Sequence, residues 1–361
     1  MMNDIGDTEE REPKDSPAIT VERSETWLLA GSSKSGKTFF LAMAMLSPEF
    51  ELEVRGQHTG IDNFDFIRDV DQHLEVDKFL QELIETGNPP ATVSTDLIEY
   101  RFTLAVTPMS TDAVPDPTRL PKAIDDTRIR LLDGPGGAMF PYLPEEEVRD
   151  DPDLSKLREH FLNEAHDASA VLLCLPMAEP GTGTSQRERQ QLISFLNGVR
   201  LGHFPGIKRI AVCLTKYESR FFDNGHKAEE LARDPANIRR IWKEFDPNDG
   251  FFEKLRDCAK KNVEVMLFPV SAFGFVRGTG FANLLPGRDG KADLPMVLEP
   301  RPTMRVGHYQ TPLYPRAFSQ GEVEKLRGTF NLAAPFVYLA TGSTNGLLHA
   351  PVEDIDPGKA G

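Results

Sequence analysis

The chain has 361 residues, 39% of them hydrophobic, and a formal net charge of −15, enough apolar material for a sizeable core. Its acidity argues against broad binding to nucleic acid or to an anionic membrane, both of which need a basic face. No apolar run approaches the ~20 residues of a membrane-spanning helix, Met1 to Asp4 open no secretory-type apolar stretch, and the three widely spaced cysteines, Cys174, Cys213 and Cys258, form no C-x-x-C pair.

The expectation is therefore a cytoplasmic protein with reduced core thiols, no transmembrane segment and no nucleic-acid partner. Residues 1–22 are polar and acidic and read as a disordered tail. Residues 26–30 form a short apolar strand. Gly31-Ser32-Ser33-Lys34-Ser35-Gly36-Lys37-Thr38 follows, and residues 39–46 have helical composition. This is G-x-x-x-x-G-K-T in the strand, loop and helix setting that a phosphate-binding loop requires. Backbone N–H groups at a helix N-terminus point at an anion. Glycine at 31 and 36 lets the backbone approach phosphate oxygens. Lys37 supplies charge for the outer phosphates and Thr38 a hydroxyl for Mg²⁺.

Residues 48–62 are polar and are assigned no element. Val76, Phe79, Leu80 and Leu83 lie at helical spacing, with Gly87 as C-cap and Asn88-Pro89-Pro90 as a break. Ile98, Tyr100, Phe102, Leu104 and Val106 alternate with polar residues, a strand with one buried face. A proline-rich insertion covers about 108–126. Residues 129–132 form a strand that ends at Asp133-Gly134-Pro135-Gly136-Gly137. Leu154, Leu157, Phe161 and Leu162 mark a helix. The apolar run 170–175 reads as a central parallel strand covered on both faces. Ser185 to Glu188 is a capping box opening a helix with Leu192, Phe195, Leu196 and Val199 on its core face.

Residues 210–214 form another buried strand, ending at Thr215-Lys216-Tyr217-Glu218. Residues 226–261 are helical with breaks at Pro235 and Pro247. Residues 263–270 form the last clear strand, followed by Ser271-Ala272-Phe273. An irregular insertion spans about 276–320, a final helix is expected at 331–339, and 343–361 read as a tail. Alternating strands and helices imply one α/β domain over about 23–342. Its sheet is mostly parallel, with helices on both faces and ligands bound beyond the carboxyl ends of the strands.

A phosphate loop alone does not choose between ATP and GTP; the later strand ends bear on it. Asp133 fits an acid that holds Mg²⁺ through water, and Gly136 adds a backbone N–H for a γ-phosphate. The Glu218 carboxylate could accept from guanine N1 and N2, a donor pair that adenine lacks. The Lys216 stem could cover the purine face, and a backbone N–H of Ser271-Ala272 could meet guanine O6.

With GSSKSGKT, DGPGG, LTKYE and VSAF in this order, each after a strand, the chain resembles the P-loop GTPases of the translation-factor and Ras-like superclass over about residues 25–275. The segment 88–92, the Asp133 motif and the segment 331–338 further resemble the bacterial double-GTPase subfamily. The resemblance implies a G-domain architecture with GTP/GDP and Mg²⁺ as cofactors, and a GTP-hydrolysing switch acting through unidentified protein partners. It implies that residues 31–38, with Phe39 following, bind phosphate. It puts Mg²⁺ on Thr38, Asp133 and a first-switch threonine, either Thr92 or Thr95, with Thr92 preferred for its Pro-Ala-Thr setting. Lys216, Glu218, Ser271 and Ala272 would hold the base, and Lys37, Thr92 and Gly136 would serve catalysis.

Two departures stand out. Glu218 takes the place of the aspartate usual in the base-reading motif, and Gly137 stands where many relatives carry a water-orienting glutamine. Lys34 could act as a built-in counter-ion during phosphoryl transfer, or point to solvent. An ATPase or P-loop kinase, and a GTP-dependent scaffold with little turnover, remain the alternatives.

Overall fold

The computed structural model describes residues 21–31, 35–46, 61–68, 98–108, 125–133, 152–177, 186–218, 227–246, 250–275, 284–285, 294–295, 297–300, 313–316, 329–342 and 349–352. In chain order these form β1 (Val21–Gly31), α1 (Lys37–Leu46), β2 (Ile61–Arg68), β3 (Ile98–Pro108), β4 (Asp125–Asp133), α2 (Pro152–Ala165) and β5 (Ala168–Pro176). Next come α3 (Gln186–Leu201), β6 (Arg209–Thr215), α4 (Ala228–Ala232), α5 (Pro235–Phe245), α6 (Gly250–Ala259) and β7 (Glu264–Pro269). Two small antiparallel ladders follow, β8 (Leu284–Leu285) with β9 (Leu294–Pro295), and β10 (Val297–Pro300) with β11 (Leu313–Arg316). The chain ends with α7 (Ala334–Thr341) and β12 (Ala350–Pro351).

The main sheet has the order β12-β7-β6-β5-β1-β4-β3-β2. Its five middle strands, β7, β6, β5, β1 and β4, are parallel. The outer strands β3, β2 and β12 join antiparallel. Parallel neighbours cannot be joined by a tight turn, so helices cross between them and cover the faces. Strand β5 shows the consequence: every residue from Ala170 to Leu175 is buried. Ala170, Leu172 and Cys174 enter one core with α1 and α7, while Val171, Leu173 and Leu175 enter the other with residues of α2, α3, α5 and α6. The alternation follows from the period of two along a strand.

Local signals end the helices where expected. Asp234 caps α5, its side chain accepting from the Ala236 N–H at 2.9 Å, with Pro235 at the first helical position. The buried Asp246 carboxylate accepts from the N–H groups of Phe251 and Phe252 at 2.8 and 3.1 Å and so opens α6. Helix α7 is buried from Ala334 to Leu339 and stops at Gly342, whose φ of 72° is the left-handed cap that glycine adopts without strain. Its Phe336 ring meets Phe40 of α1 and Phe102 of β3, at centroid distances of 5.8 and 6.1 Å. The core-face residues expected for α3, Leu192, Phe195, Leu196 and Val199, are all buried, and the three cysteines are free and buried.

Four expectations change. Strand β2 begins inside the stretch assigned no element. Asp62, Asn63 and Asp65 are poor strand formers, so the strand is set by pairing with the edge of β3 rather than by propensity. The supposed C-terminal tail contributes β12, with Ala350 paired to Leu267 and both Ala350 and Val352 buried. The insertion at 276–320 contains the two small ladders, and β1 starts two residues inside the supposed N-terminal tail. The helix expected near 76–83, the capping residue Ser185 and the insertion core at 109–124 lie outside the described residues. Because Phe336 joins α7 to both α1 and β3, Phe336→Ala is expected to destabilise the fold by about 3–5 kcal/mol, measurable as a lower urea midpoint with an unchanged slope.

Candidate functional site

The parallel strands β1, β4, β6 and β7 all end on one edge, and every described motif residue sits there. At the end of β1, Gly31 is pressed against β5: a Cβ on it would lie 2.5 Å from the Cys174 carbonyl oxygen and 2.9 Å from Ser35 Oγ. Only glycine allows that approach. Gly36 has φ of 83° and turns the chain into α1, whose first backbone bond runs from Phe40 N–H to the Gly36 carbonyl at 2.8 Å. The Lys37 ammonium folds back over the loop and donates to the Gly31 carbonyl at 3.2 Å. A helix N-terminus with an ammonium beside it is an arrangement that attracts anions.

The loop is tied to the next motif. Thr215, the last residue of β6, donates its hydroxyl to the buried carbonyl of Ser35. Lys216 then takes a left-handed φ of 55°, and its aliphatic stem runs past Gly36, with Cε 3.8 Å from where a Cβ would stand. Lys216 thus lies where its stem could cover a ring bound beside the phosphate loop.

Glu218 is fully buried. Its Oε1 accepts from the Phe273 backbone N–H at 2.7 Å, while Oε2 has no hydrogen-bond partner among the described residues. Burial pushes this carboxyl up to about 7; the nearby backbone N–H groups of Glu218, Phe273 and Gly274, with the Lys216 charge, pull the other way. The Ser271–Phe273 segment is braced from three sides. Ser271 forms an antiparallel bridge with Phe330, N–H to carbonyl in both directions at 3.2 and 3.1 Å. Asn331 donates through Nδ2 to the Pro269 carbonyl at 2.7 Å. The Phe273 ring stacks on Phe39, with centroids 3.9 Å apart and planes 9° from parallel.

Asp133 closes β4 with a buried carboxylate neither of whose oxygens has a hydrogen-bond partner among the described residues. Burial pushes it up to about 6 and the Lys37 charge pulls it back. Such a carboxylate, next to the Lys37 ammonium, suits a bound cation or its water.

Gly31, Ser35, Gly36, Lys37, Thr38, Asp133, Lys216, Glu218, Ser271 and Ala272 therefore share one edge. The Phe39 ring is buried and stacks under the Ser271–Phe273 segment, which leaves its backbone as the part that faces the loop. Ser32, Ser33, Lys34, Thr92, Thr95, Gly136 and Gly137 lie outside the described residues. The Thr215 tie and the Phe330–Asn331 brace were missed, because a hydroxyl at a strand end and a segment some 60 residues downstream carry no sequence signal for this contact.

A cleft of about 370 Å³ opens at the opposite edge, between the starts of β1, β5 and β6 and the end of α7. Several of its polar groups are already engaged. Ser169 and Trp27 donate to Glu25, Arg209 donates to Glu264 and to the Leu339 carbonyl, and Thr341 donates to the Val337 carbonyl. It reads as the capped end of α7.

No family model and no curated protein matches this chain. Among solved structures, the chain is similar to the Saccharomyces cerevisiae Ski7 GTPase-like domain bound to GTP, with 12% identity, a TM-score of 0.33, and coverage of 68% of this chain and 42% of that one. It is also similar to Aquifex aeolicus Era bound to GDP and AlF4⁻, with 13% identity, a TM-score of 0.27, and coverage of 69% and 52%. A bacterial selenocysteine-specific elongation factor, EF-Sec, aligns with 17% identity, a TM-score of 0.25, and coverage of 66% and 28%. The chain thus spans about half or less of each of these. Strand order, with the central strand β1 leading through Ser35 and Gly36 into α1, decides the architecture. The fold is α/β, a mostly parallel sheet with helices on both faces. No helix among the described residues is long and apolar enough to cross a membrane.

The buried Glu218 carboxyl makes stability depend on pH. Its ordinary value of 4.5 rises to about 7 in the folded chain, so unfolding between these values releases a proton and stability falls as pH rises through that window. Glu218→Gln removes this loss. The variant is expected to melt at a higher temperature than the parent above pH 8, with the gap closing as pH falls towards 4.5 in a calorimetric series without nucleotide.

Proposed function

We propose that this chain is a GTP-binding and GTP-hydrolysing switch, a P-loop GTPase that acts through protein partners. The observation that carries the proposal is the tie between two motifs. The Thr215 hydroxyl and the Lys216 stem hold the start of the base-reading segment against Ser35 and Gly36 of the phosphate loop. A ligand with phosphates at one end and a purine at the other fits that layout. An ATPase or kinase reading leaves the buried Glu218 and the braced Ser271–Phe273 segment without a task, so guanine is the preferred base.

In this reading Lys37 and the loop backbone hold the phosphates. Mg²⁺ would be held by Thr38 and, through water, by Asp133, whose unpartnered buried carboxylate fits a cation, with Thr92 completing the set. Bound there, the metal would neutralise charge that develops on the phosphates. Gly136 would offer its N–H to the γ-phosphate. Gly137 has no side chain to orient water, which favours slow turnover until a partner supplies a group. The domain is taken to run from Val21 through β12, in the cytoplasm, and the likeness to double-GTPases rests on 88–92, Asp133 and 331–338.

Titration with labelled GTP and ATP, followed by phosphate release, tests this. GTP is expected to bind more tightly than ATP by about 10- to 100-fold, the cost of leaving buried polar groups unmatched. Lys37→Ala is expected to abolish binding, and Asp133→Ala to weaken the Mg²⁺ dependence of binding. Normal GTP binding by Lys37→Ala would remove the loop from the site.

A further inference from the structure

The two oxygens of Glu218 are not equivalent. Oε1 already accepts from the Phe273 N–H at 2.7 Å, and Oε2 is buried with no hydrogen-bond partner among the described residues. The backbone donors of the facing segment are likewise divided. The Ser271 N–H is given to the Phe330 carbonyl at 3.2 Å and the Phe273 N–H to Glu218, while the Ala272 N–H between them makes no hydrogen bond among the described residues. Among the described residues, the acceptor without a partner at this end of the site is Oε2 and the donor without one in the Ser271–Phe273 segment is the Ala272 N–H.

Glutamate matters to this division. The segment carrying Phe273 belongs to a different strand end from Glu218, and the Glu218 side chain spans from one to the other. The bond is short, buried and made to a backbone that is fixed by the Phe330 bridge, the Asn331–Pro269 bond and the Phe39 stack. A carboxylate held in this way stays clasped when a ligand arrives, because releasing Oε1 would strand a buried N–H.

We propose that Glu218 divides its carboxylate between holding the base loop and reading the base, so that the site selects 6-oxopurine nucleotides as a class and not guanine alone. The proposal rests on the GTP reading above and deepens it. A purine with an oxygen at C6 and a proton on N1 matches the pair: O6 takes the Ala272 N–H and N1–H goes to Oε2. Guanine and hypoxanthine both carry that pattern. Adenine reverses it, with a donor at C6 and an acceptor at N1. The guanine 2-amino group would have to share Oε1, one of whose lone pairs already takes the Phe273 N–H, so it adds less than N1–H gains at the unshared Oε2.

Competition against labelled GTP by ITP and ATP, with Mg²⁺ and the full chain, tests the division. ITP is expected to bind within about threefold of GTP, and ATP at least tenfold more weakly than either. Glu218→Ala is expected to lower affinity for GTP and ITP by the same factor, because both lose the same N1–H acceptor; this comparison of ratios survives a general loosening of the loop. ITP weaker than GTP by tenfold or more, or a Glu218→Ala loss several-fold greater for GTP than for ITP, would overturn the shared carboxylate while leaving the GTP reading intact. Equal binding of ATP and GTP, or no binding of any of the three, would overturn the GTP reading itself and this inference with it.

Discussion

The candidate site depends on a hydroxyl donated across a gap in sequence: Thr215 to the Ser35 carbonyl. A phosphate loop must expose N–H groups, which leaves its carbonyls pointing back into the protein, where each needs a partner. Gly31 brings the loop down against the Cys174 carbonyl, the Lys37 ammonium takes the Gly31 carbonyl, and Thr215 takes that of Ser35. Once the loop is anchored to the end of β6, the turn through Lys216 to Glu218 follows directly beside it. The distance between the two ends of the site is thereby a property of the sheet, since β5 separates β1 from β6 by fixed strand spacing.

The site keeps two buried carboxylates under conditions that disfavour their charged forms. Asp133 and Glu218 are both pushed upward by burial, and three of their four oxygens lack a partner among the described residues. Groups of this kind cost stability, and a fold tolerates them where a ligand later satisfies them. The cysteines nearby show the contrast. Cys174 and Cys213 are paired across β5 and β6, and burial, with a side-chain hydrogen bond to Cys174, raises the Cys213 thiol well above its ordinary range.

The far end of the chain returns to complete what the middle begins. Phe330 and Asn331 brace the Ser271–Phe273 segment, α7 fills the face of the sheet beside α1, and β12 closes the edge beside β7. Arg209 and Gly342 end α7 at the opposite edge, so this one helix spans the sheet from the candidate site to the capped cleft. The stacked Phe39 and Phe273 rings connect α1 to the Ser271–Phe273 segment through the same core.

The amino-acid sequence by itself determined the elements whose signals are local. The apolar run of β5, the alternation of Tyr100, Phe102 and Leu104 in β3, the break at Pro235, and the strand and helix on either side of the loop before Lys37 were legible because periodicity and backbone chemistry act over a few residues. So was the placing of the motifs at strand ends. Only the tertiary structure decided what depends on pairing between distant segments. Strand β2, with Asp62, Asn63 and Asp65, exists because β3 offers an edge, and β12 exists because β7 offers another. The same holds inside the site. Sequence order could bring Glu218 and Ser271-Ala272 to one edge, but not say that the Phe273 N–H would claim one oxygen of Glu218 while Phe330 claimed the Ser271 N–H. Hydrogen bonds are short and directional, so which group remains free is set by packing and not by spacing along the chain.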